Sequence, residues 1–256
     1  MSNITKFTIL GERCSGTNFL EQAISKNFNL TYTHEYGSKH FFCFNDYSCK
    51  NNDDILFIGI IRNPIYWINS FSKELHHVPE INRKNIINFL FNKFYSINDE
   101  IDIPTGIQNG MIFFNNRRMF VQKYDINKLD LNYITNDKYN NIFELRKLKN
   151  DYLMNLMPTK VKNYILINYE DLLYNYDYMI NKISLKFNLI QKNENIIKIT
   201  NYKKSEKYKF VKQREITLHP QIIEIIWNNL DKEQEEKLGY IKYDNNNHFK
   251  PYSNHT

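Results

Sequence analysis

Phe7-Thr8-Ile9-Leu10-Gly11-Glu12-Arg13-Cys14-Ser15-Gly16-Thr17-Asn18-Phe19-Leu20 is the stretch whose reading decides the fold. Phe7 to Leu10 is an apolar run of the length of a short buried strand. Gly11 to Gly16 turns the chain, and Thr17 opens a helix with Phe19, Leu20, Ala23, Ile24 and Phe28 on one stripe. The same passage from strand through polar turn to helix recurs twice. Ile55-Leu56-Phe57-Ile58-Gly59-Ile60-Ile61 is continuously apolar, as a parallel strand covered on both faces must be. It ends at Arg62-Asn63-Pro64, and Pro64 suits the first turn of a helix carrying Trp67, Ile68 and Phe71. Tyr164-Ile165-Leu166-Ile167-Asn168 ends at Tyr169-Glu170-Asp171 before further helix. Strands and helices alternating in this way predict an α/β protein of three layers, a parallel central sheet flanked by helices. Ligands of such sheets gather beyond the carboxyl ends of the strands, so the three polar junctions are expected to face one crevice.

Between the second and third of these units, residues from about 75 to 160 read as a mainly helical insertion with a loop at Ile103-Pro104-Thr105-Gly106. Beyond the third, Met179, Ile180, Ile183 and Phe187 follow helical spacing, as do Ile222, Ile223, Ile226, Leu230 and, further on, Leu238. Lys203 to Lys212 forms a lysine-rich connection, and residues 244–256 read as a polar tail that frays. The expected organisation is one α/β domain over residues 1–243 followed by that tail.

The 256 residues are 42% hydrophobic and 15% aromatic, above what a disordered chain carries. Asn, Ile, Lys and Tyr are abundant and Ala nearly absent, the mark of A/T-rich codons found in some large DNA viruses and low-GC bacteria. The net charge of +6 favours anionic ligands, but the basic residues and aromatics fall into no nucleic-acid-binding module. Cys14, Cys43 and Cys49 are odd in number and lack metal spacing, as expected in a reducing compartment. No apolar run approaches the ~20 residues of a membrane span, and the N-terminal residues lead straight into a strand. The expectation is a cytoplasmic protein, in the host cytoplasm for a viral one.

A loop closing onto a helix N-terminus presents free backbone N–H groups and the positive end of the helix dipole, which together bind phosphate or sulfate oxygens. Residues 11–18 have this form, with Ser15 and Thr17 adding hydroxyls, Gly16 allowing close approach and Arg13 supplying charge. Taken alone, a Gly-Ser-Thr turn before a helix is also an ordinary cap. A Walker loop requires Gly-Lys-Ser/Thr, and the absent lysine disfavours ATP hydrolysis. Arg62 and Ser70 lie eight residues apart, about two helical turns, so both can reach one anion from the same side. No carboxylate cluster or His/Cys set has metal-ligand spacing, so no metal is expected.

These segments together resemble the sulfotransferases that use 3′-phosphoadenosine 5′-phosphosulfate (PAPS), a family with a P-loop-like fold. Gly11-Glu12-Arg13-Cys14-Ser15-Gly16-Thr17-Asn18-Phe19-Leu20 resembles their 5′-phosphosulfate loop, Arg62-Asn63-Pro64 with Ser70 their 3′-phosphate motif, and Leu166-Ile167-Asn168-Tyr169-Glu170-Asp171-Leu172-Leu173 their later strand and the segment after it. Leu238-Gly239-Tyr240 is similar to the family's terminus. The resemblance implies that Cys14, Ser15, Gly16, Thr17 and Asn18 hold the 5′-phosphosulfate, Arg62 and Ser70 the 3′-phosphate, and that Tyr169 meets the adenine. It implies Lys203 and Lys204 as a further 3′-phosphate clamp.

Many relatives place a cation immediately before Ser-Gly-Thr; here that position is Cys14, so the charge comes from Arg13 one step earlier or from Lys39. Cys14 itself reads as a small structural thiol, although a helix N-terminus favours a reactive thiolate. Among His34 and His40, His40 follows Tyr36-Gly37-Ser38-Lys39, similar to the family's second strand region, and is the expected base. The implied reaction moves a sulfuryl group from PAPS to a hydroxyl or amine acceptor, a glycan by preference, and releases adenosine 3′,5′-bisphosphate. A nucleotide or small-molecule kinase and a non-catalytic nucleotide-binding protein are the alternatives.

Overall fold

The computed structural model describes residues 4–36, 38–44, 52–74, 78–97, 107–108, 111–114, 118–121, 124–127, 129–201, 209–210 and 215–242. Gly37, Cys49, the 103–106 loop, Lys203, Lys204 and the 244–256 tail, all singled out in the sequence, lie outside the described residues.

Four strands, β1 (Lys6–Leu10), β2 (Thr31–Tyr32), β3 (Ile55–Ile61) and, late in the chain, β10 (Tyr164–Asn168), form an all-parallel sheet in the order β10-β3-β1-β2. β3 pairs on one side with β1, Ile55 to Gly59 lying opposite Lys6 to Leu10, and on the other with β10, Phe57 to Ile61 lying opposite Tyr164 to Asn168. Every residue of β3 is buried, which is why its sequence is apolar without alternation. The side chains nevertheless divide with the two-residue period of a strand. Leu56, Ile58 and Ile60 join Phe7, Ile9, Ile165 and Ile167 on one face, covered by α1 (Thr17–Asn27), α6 (Tyr169–Tyr174) and α7 (Tyr176–Phe187). Ile55, Phe57 and Ile61 join Leu10 on the other, covered by α2 (Pro64–Phe71), α3 (Ile86–Phe91), α4 (Ile142–Asp151) and α8 (Pro220–Asn229). The result is a three-layer α/β sandwich.

The insertion is mixed rather than mainly helical. α3 stands at one end and a continuous helix at the other, α4 passing through a π-helical turn (Tyr152–Leu156) into α5 (Met157–Lys160). Between them β4 (Ser96–Ile97) pairs antiparallel with β9 (Leu129–Asp130). Four short strands, β5 (Ile107–Gln108), β6 (Met111–Phe114), β7 (Arg118–Val121) and β8 (Tyr124–Asn127), form an antiparallel meander. These strands are too short for their periodicity to stand out in the sequence. α9 (Lys232–Lys237) leads into Leu238-Gly239-Tyr240, which folds back on the strand ends. Among the described residues no helix is long and apolar enough to cross a membrane.

Candidate anion site at the strand ends

α1 begins as predicted at Thr17, and its N-cap is Gly16 in the left-handed conformation, φ 93°. Among the described residues no side chain caps this helix, so the N–H groups of its first turn keep their hydrogen-bonding capacity at the positive end of the dipole. Gly16 is irreplaceable here on two counts. Its φ is one that L side chains avoid, and a Cβ would stand 2.1 Å from Cδ2 of Tyr169. Cys14 also has a positive φ of 62°, so the loop makes two left-handed steps within three residues.

The carbonyls of this loop are tied to the next junction. Trp67 Nε1 donates to the Arg13 carbonyl at 2.8 Å, and Arg62 Nη1 donates to the Cys14 carbonyl at 2.9 Å. The same Arg62 nitrogen reaches Ser70 Oγ at 3.1 Å, which brings the predicted pair into direct contact. Arg62 lies over the Tyr169 ring, 4.9 Å from its centroid, and its Nε is buried with no hydrogen-bond partner among the described residues. A buried guanidinium nitrogen without an acceptor is an unmet demand for one. Tyr169 is thus enclosed between Gly16, Arg62 and the edge of Phe19, and it buttresses the loop and the arginine.

Thr17 and Ser15 are buried, while Asn18 is half-buried and its Oδ1 accepts from Lys39 Nζ at 2.5 Å. Lys39 also pairs with Glu21 on α1 at 3.6 Å, so its ammonium stands beside the first turn of the helix. Arg13 does not. Its side chain is 5% exposed and turns beneath the loop, to Glu12 at 3.2 Å, toward Asp130 and onto the ring of Phe41. The Lys39-His40 pair follows β2 in a turn instead of lying in a strand, because the strand ends at Tyr32.

His40 Nδ1 lies 2.7 Å from the Gly11 carbonyl oxygen. A carbonyl can only accept, so Nδ1 carries the proton and Nε2 the lone pair. Burial, reinforced by the Arg13 charge, pushes the imidazole down to about 3, so it is neutral throughout the physiological range. Burial lifts the Cys14 thiol to about 12 despite nearby Arg62, which makes it a neutral, poorly nucleophilic thiol. His34 is also shifted down by burial and stacks edge-on against Tyr32.

Beneath the loop lies a set of charges that the motifs did not reveal. Lys149 Nζ donates to Glu12 Oε2 at 2.8 Å, to the His40 carbonyl at 2.6 Å and to Asp130. Burial would raise the Glu12 carboxyl, but Lys149 and Arg13 outweigh it and hold it down at about 2. Burial and the charge of Glu12 push Asp130 the other way, up to about 6, against the pull of Lys149. Lys149 could have been noticed in the sequence: with Ile142, Leu145 and Tyr152 it shares the apolar stripe of its helix, where an unpaired lysine does not belong. At the third junction Glu170 is buried, accepting from the Asn63 N–H at 3.0 Å and from Tyr240 Oη at 2.9 Å. The terminal Leu238-Gly239-Tyr240 thereby locks two strand ends together. Next to the loop, an open cleft of about 360 Å³ is lined by Phe19, Tyr174, Tyr176, Ile199 and Phe210, with Lys198 at its edge. Among the described residues no group of His, Cys, Asp and Glu is placed to hold a metal ion.

Compared with protein-family models, with curated proteins and with solved structures, the chain matches none.

Proposed function

We propose that the protein is a sulfotransferase using PAPS. The observation that carries the reading is the contact of Arg62 with both Ser70 and the carbonyl of Cys14, beside a helix N-terminus that no side chain caps. Two anion-directed features, a helix N-terminus without a side-chain cap and an arginine whose buried Nε has no partner among the described residues, therefore meet at one loop. A ligand with two separate anionic groups answers both, and PAPS has a 5′-phosphosulfate and a 3′-phosphate. The aromatic cleft beside Phe19 offers apolar surface of the kind a purine requires.

In this reading Ser15, Gly16, Thr17 and Asn18 hold the 5′-phosphosulfate through N–H and hydroxyl donors, while Arg62 and Ser70 hold the 3′-phosphate. An acceptor hydroxyl attacks sulfur, the bond from sulfur to the bridging phosphate oxygen breaks, and adenosine 3′,5′-bisphosphate departs. The acceptor's proton passes to Nε2 of His40, the nitrogen left with a lone pair by the bond to Gly11. A neutral imidazole of low basicity is a poor base in the free protein. The negative charge of a bound phosphosulfate raises its proton affinity, so basicity grows as the substrate arrives. Between the two cations the sequence offered, the role of meeting charge on the leaving group falls to Lys39, which adjoins Asn18, and Arg13 acts by holding Glu12. The acceptor is proposed to be a carbohydrate hydroxyl.

Transfer of labelled sulfate from PAPS and of labelled phosphate from ATP to a panel of sugars, phenols and amines tests the proposal. Sulfate transfer that falls with His40→Ala supports it. Phosphate transfer without sulfate transfer would establish a kinase instead, and binding of adenosine 3′,5′-bisphosphate without any turnover a non-catalytic nucleotide binder.

A further inference from the structure

A lysine ammonium has three donors, and those of Lys149 go to three different segments of the chain. One reaches Glu12 in the loop, one the main-chain carbonyl of His40, and one Asp130 on β9. The residue is 1% exposed, and its ammonium also lies 5.0 Å from the centroid of the Phe42 ring. Burying an ammonium is costly, and a hydrophobic side chain of equal volume would serve packing as well or better. The stripe it belongs to already has Ile142, Leu145 and Tyr152 to anchor α4 in the core. What a leucine or methionine could not do is bind the loop and the histidine segment to each other.

We infer that Lys149 is a positioning residue for the anion site, holding Glu12 and the His40 main chain together from beneath so that the loop keeps its shape and His40 keeps its bond to Gly11. The two tethered groups flank the elements at issue. Glu12 Oε1 accepts the Arg13 N–H at 2.8 Å, which fixes the chain as it enters the turn. Gly11 N donates to the Lys39 carbonyl at 2.9 Å, so the His40 segment and the loop already lie side by side, and Lys149 closes the ring of contacts from the third direction. One turn away on the same helix, Arg146 pairs with Glu235 and stacks on Trp67, the donor to the Arg13 carbonyl. α4 therefore braces the loop through two of its cations, and the insertion it belongs to is mechanically joined to the anion site. The geometric part of this inference stands on its own; its meaning for catalysis rests on the sulfotransferase reading.

The test uses the whole chain with Lys149→Met and, because an uncompensated buried carboxylate destabilises the single variant, Asp130→Asn/Lys149→Met, which removes one charge of each sign and leaves the Glu12–Arg13 pair intact. Two quantities are read: the titration midpoint of His40 by proton NMR, with Glu12, Arg13 and Lys39 as the charged groups facing it, and the affinity for adenosine 3′,5′-bisphosphate by calorimetry. In the folded variant the His40 midpoint is expected to rise by about one pH unit or more toward its ordinary value as the loosened segment lets water reach the ring, a gain that outweighs the lost support of the Gly11 bond for the protonated form. Ligand affinity is expected to fall roughly tenfold. A variant that loses only thermal stability, with the His40 midpoint and affinity of the wild type, overturns the inference. If the wild type itself binds no adenosine 3′,5′-bisphosphate, the sulfotransferase reading fails, and the His40 midpoint alone then decides on Lys149.

Discussion

The junctions β1–α1 and β3–α2 leave the same sheet in the same direction, yet their helices begin in opposite ways. At β3–α2 the Asn63 side chain accepts from the N–H groups of Ile65 and Tyr66, and Pro64 at the first helical position removes a donor altogether. That N-terminus is satisfied from within and lends the crevice only the side chains of Arg62 and Ser70. At β1–α1 the N-cap is a left-handed glycine without any side-chain bond, and the carbonyls before it are held by Trp67 and Arg62 from the other junction. The third junction, β10–α6, again lacks a side-chain cap but places the acidic Glu170 and Asp171 in its first turn, which complements the dipole internally. The three polar strand ends therefore differ: one begins its helix without a side-chain cap, one caps its helix from within and carries Arg62, and one is tied to its neighbour through Glu170.

Substitution at Gly16 should break the open junction outright. Gly16→Ala puts a methyl 2.1 Å from the Tyr169 ring at a φ of 93°, so strain and overpacking together are expected to cost about 3 kcal/mol. Affinity for adenosine 3′,5′-bisphosphate should drop about a hundredfold by calorimetry; an unchanged affinity would show that the loop is not where the anion binds. Next in size is Arg62→Lys. An ammonium cannot serve the Cys14 carbonyl, Ser70 and the Tyr169 face at once, and the loss of one charge-assisted bond predicts roughly tenfold weaker binding. Ser70→Ala, which removes a neutral partner, should weaken it only about fivefold.

The strands that carry these junctions were legible because burial on both faces forces an uninterrupted apolar run, and Pro64 and the Gly-Ser-Thr turn punctuate their ends. Arg62 and Ser70 could be paired from helical spacing alone, and the structure brings them to 3.1 Å. Lys149 stood out on its helix, but the Glu12, Asp130 and Lys149 set was not legible as a set, since Glu12 lies more than a hundred residues before the other two and meets them only through tertiary packing. The different fates of Arg13 and Lys39 were hidden for the same reason: one peptide step in a turn decides whether a side chain faces the crevice or the core. The strands of the insertion were missed because pieces of two to four residues carry too little periodicity to outweigh a local helical pattern.

The underside of the open junction also distinguishes it by pH. The Asp130 carboxyl, raised to about 6 in the folded protein, favours folding most when protonated, so its contribution is full below about 4 and is lost as pH rises through 6. Glu12, held at about 2, contributes above its ordinary value and loses that contribution only as pH falls toward 2. Between pH 5 and 7.5 Asp130 therefore governs the change. Asp130→Asn abolishes that dependence, and its melting temperature should gain on the wild type by about 3 °C over this interval. A constant difference across the interval would mean that Asp130 is already ionised at pH 5.

The smallest expected effect belongs to the closed junction and completes the contrast. Asn63→Ala removes a cap that serves two N–H groups and should cost about 1 kcal/mol of stability. Its backbone N–H to Glu170 is untouched, so Arg62 stays where the strand delivers it. Ligand affinity should then hold within about twofold, since nothing that faces the anion has moved. If Asn63→Ala weakened binding as strongly as Arg62→Lys, the N-terminus of α2 would have to belong to the anion site as well. The division between a donor-bearing junction and a self-capped one would then fail, because opening a second helix terminus can only change affinity if the ligand reaches it.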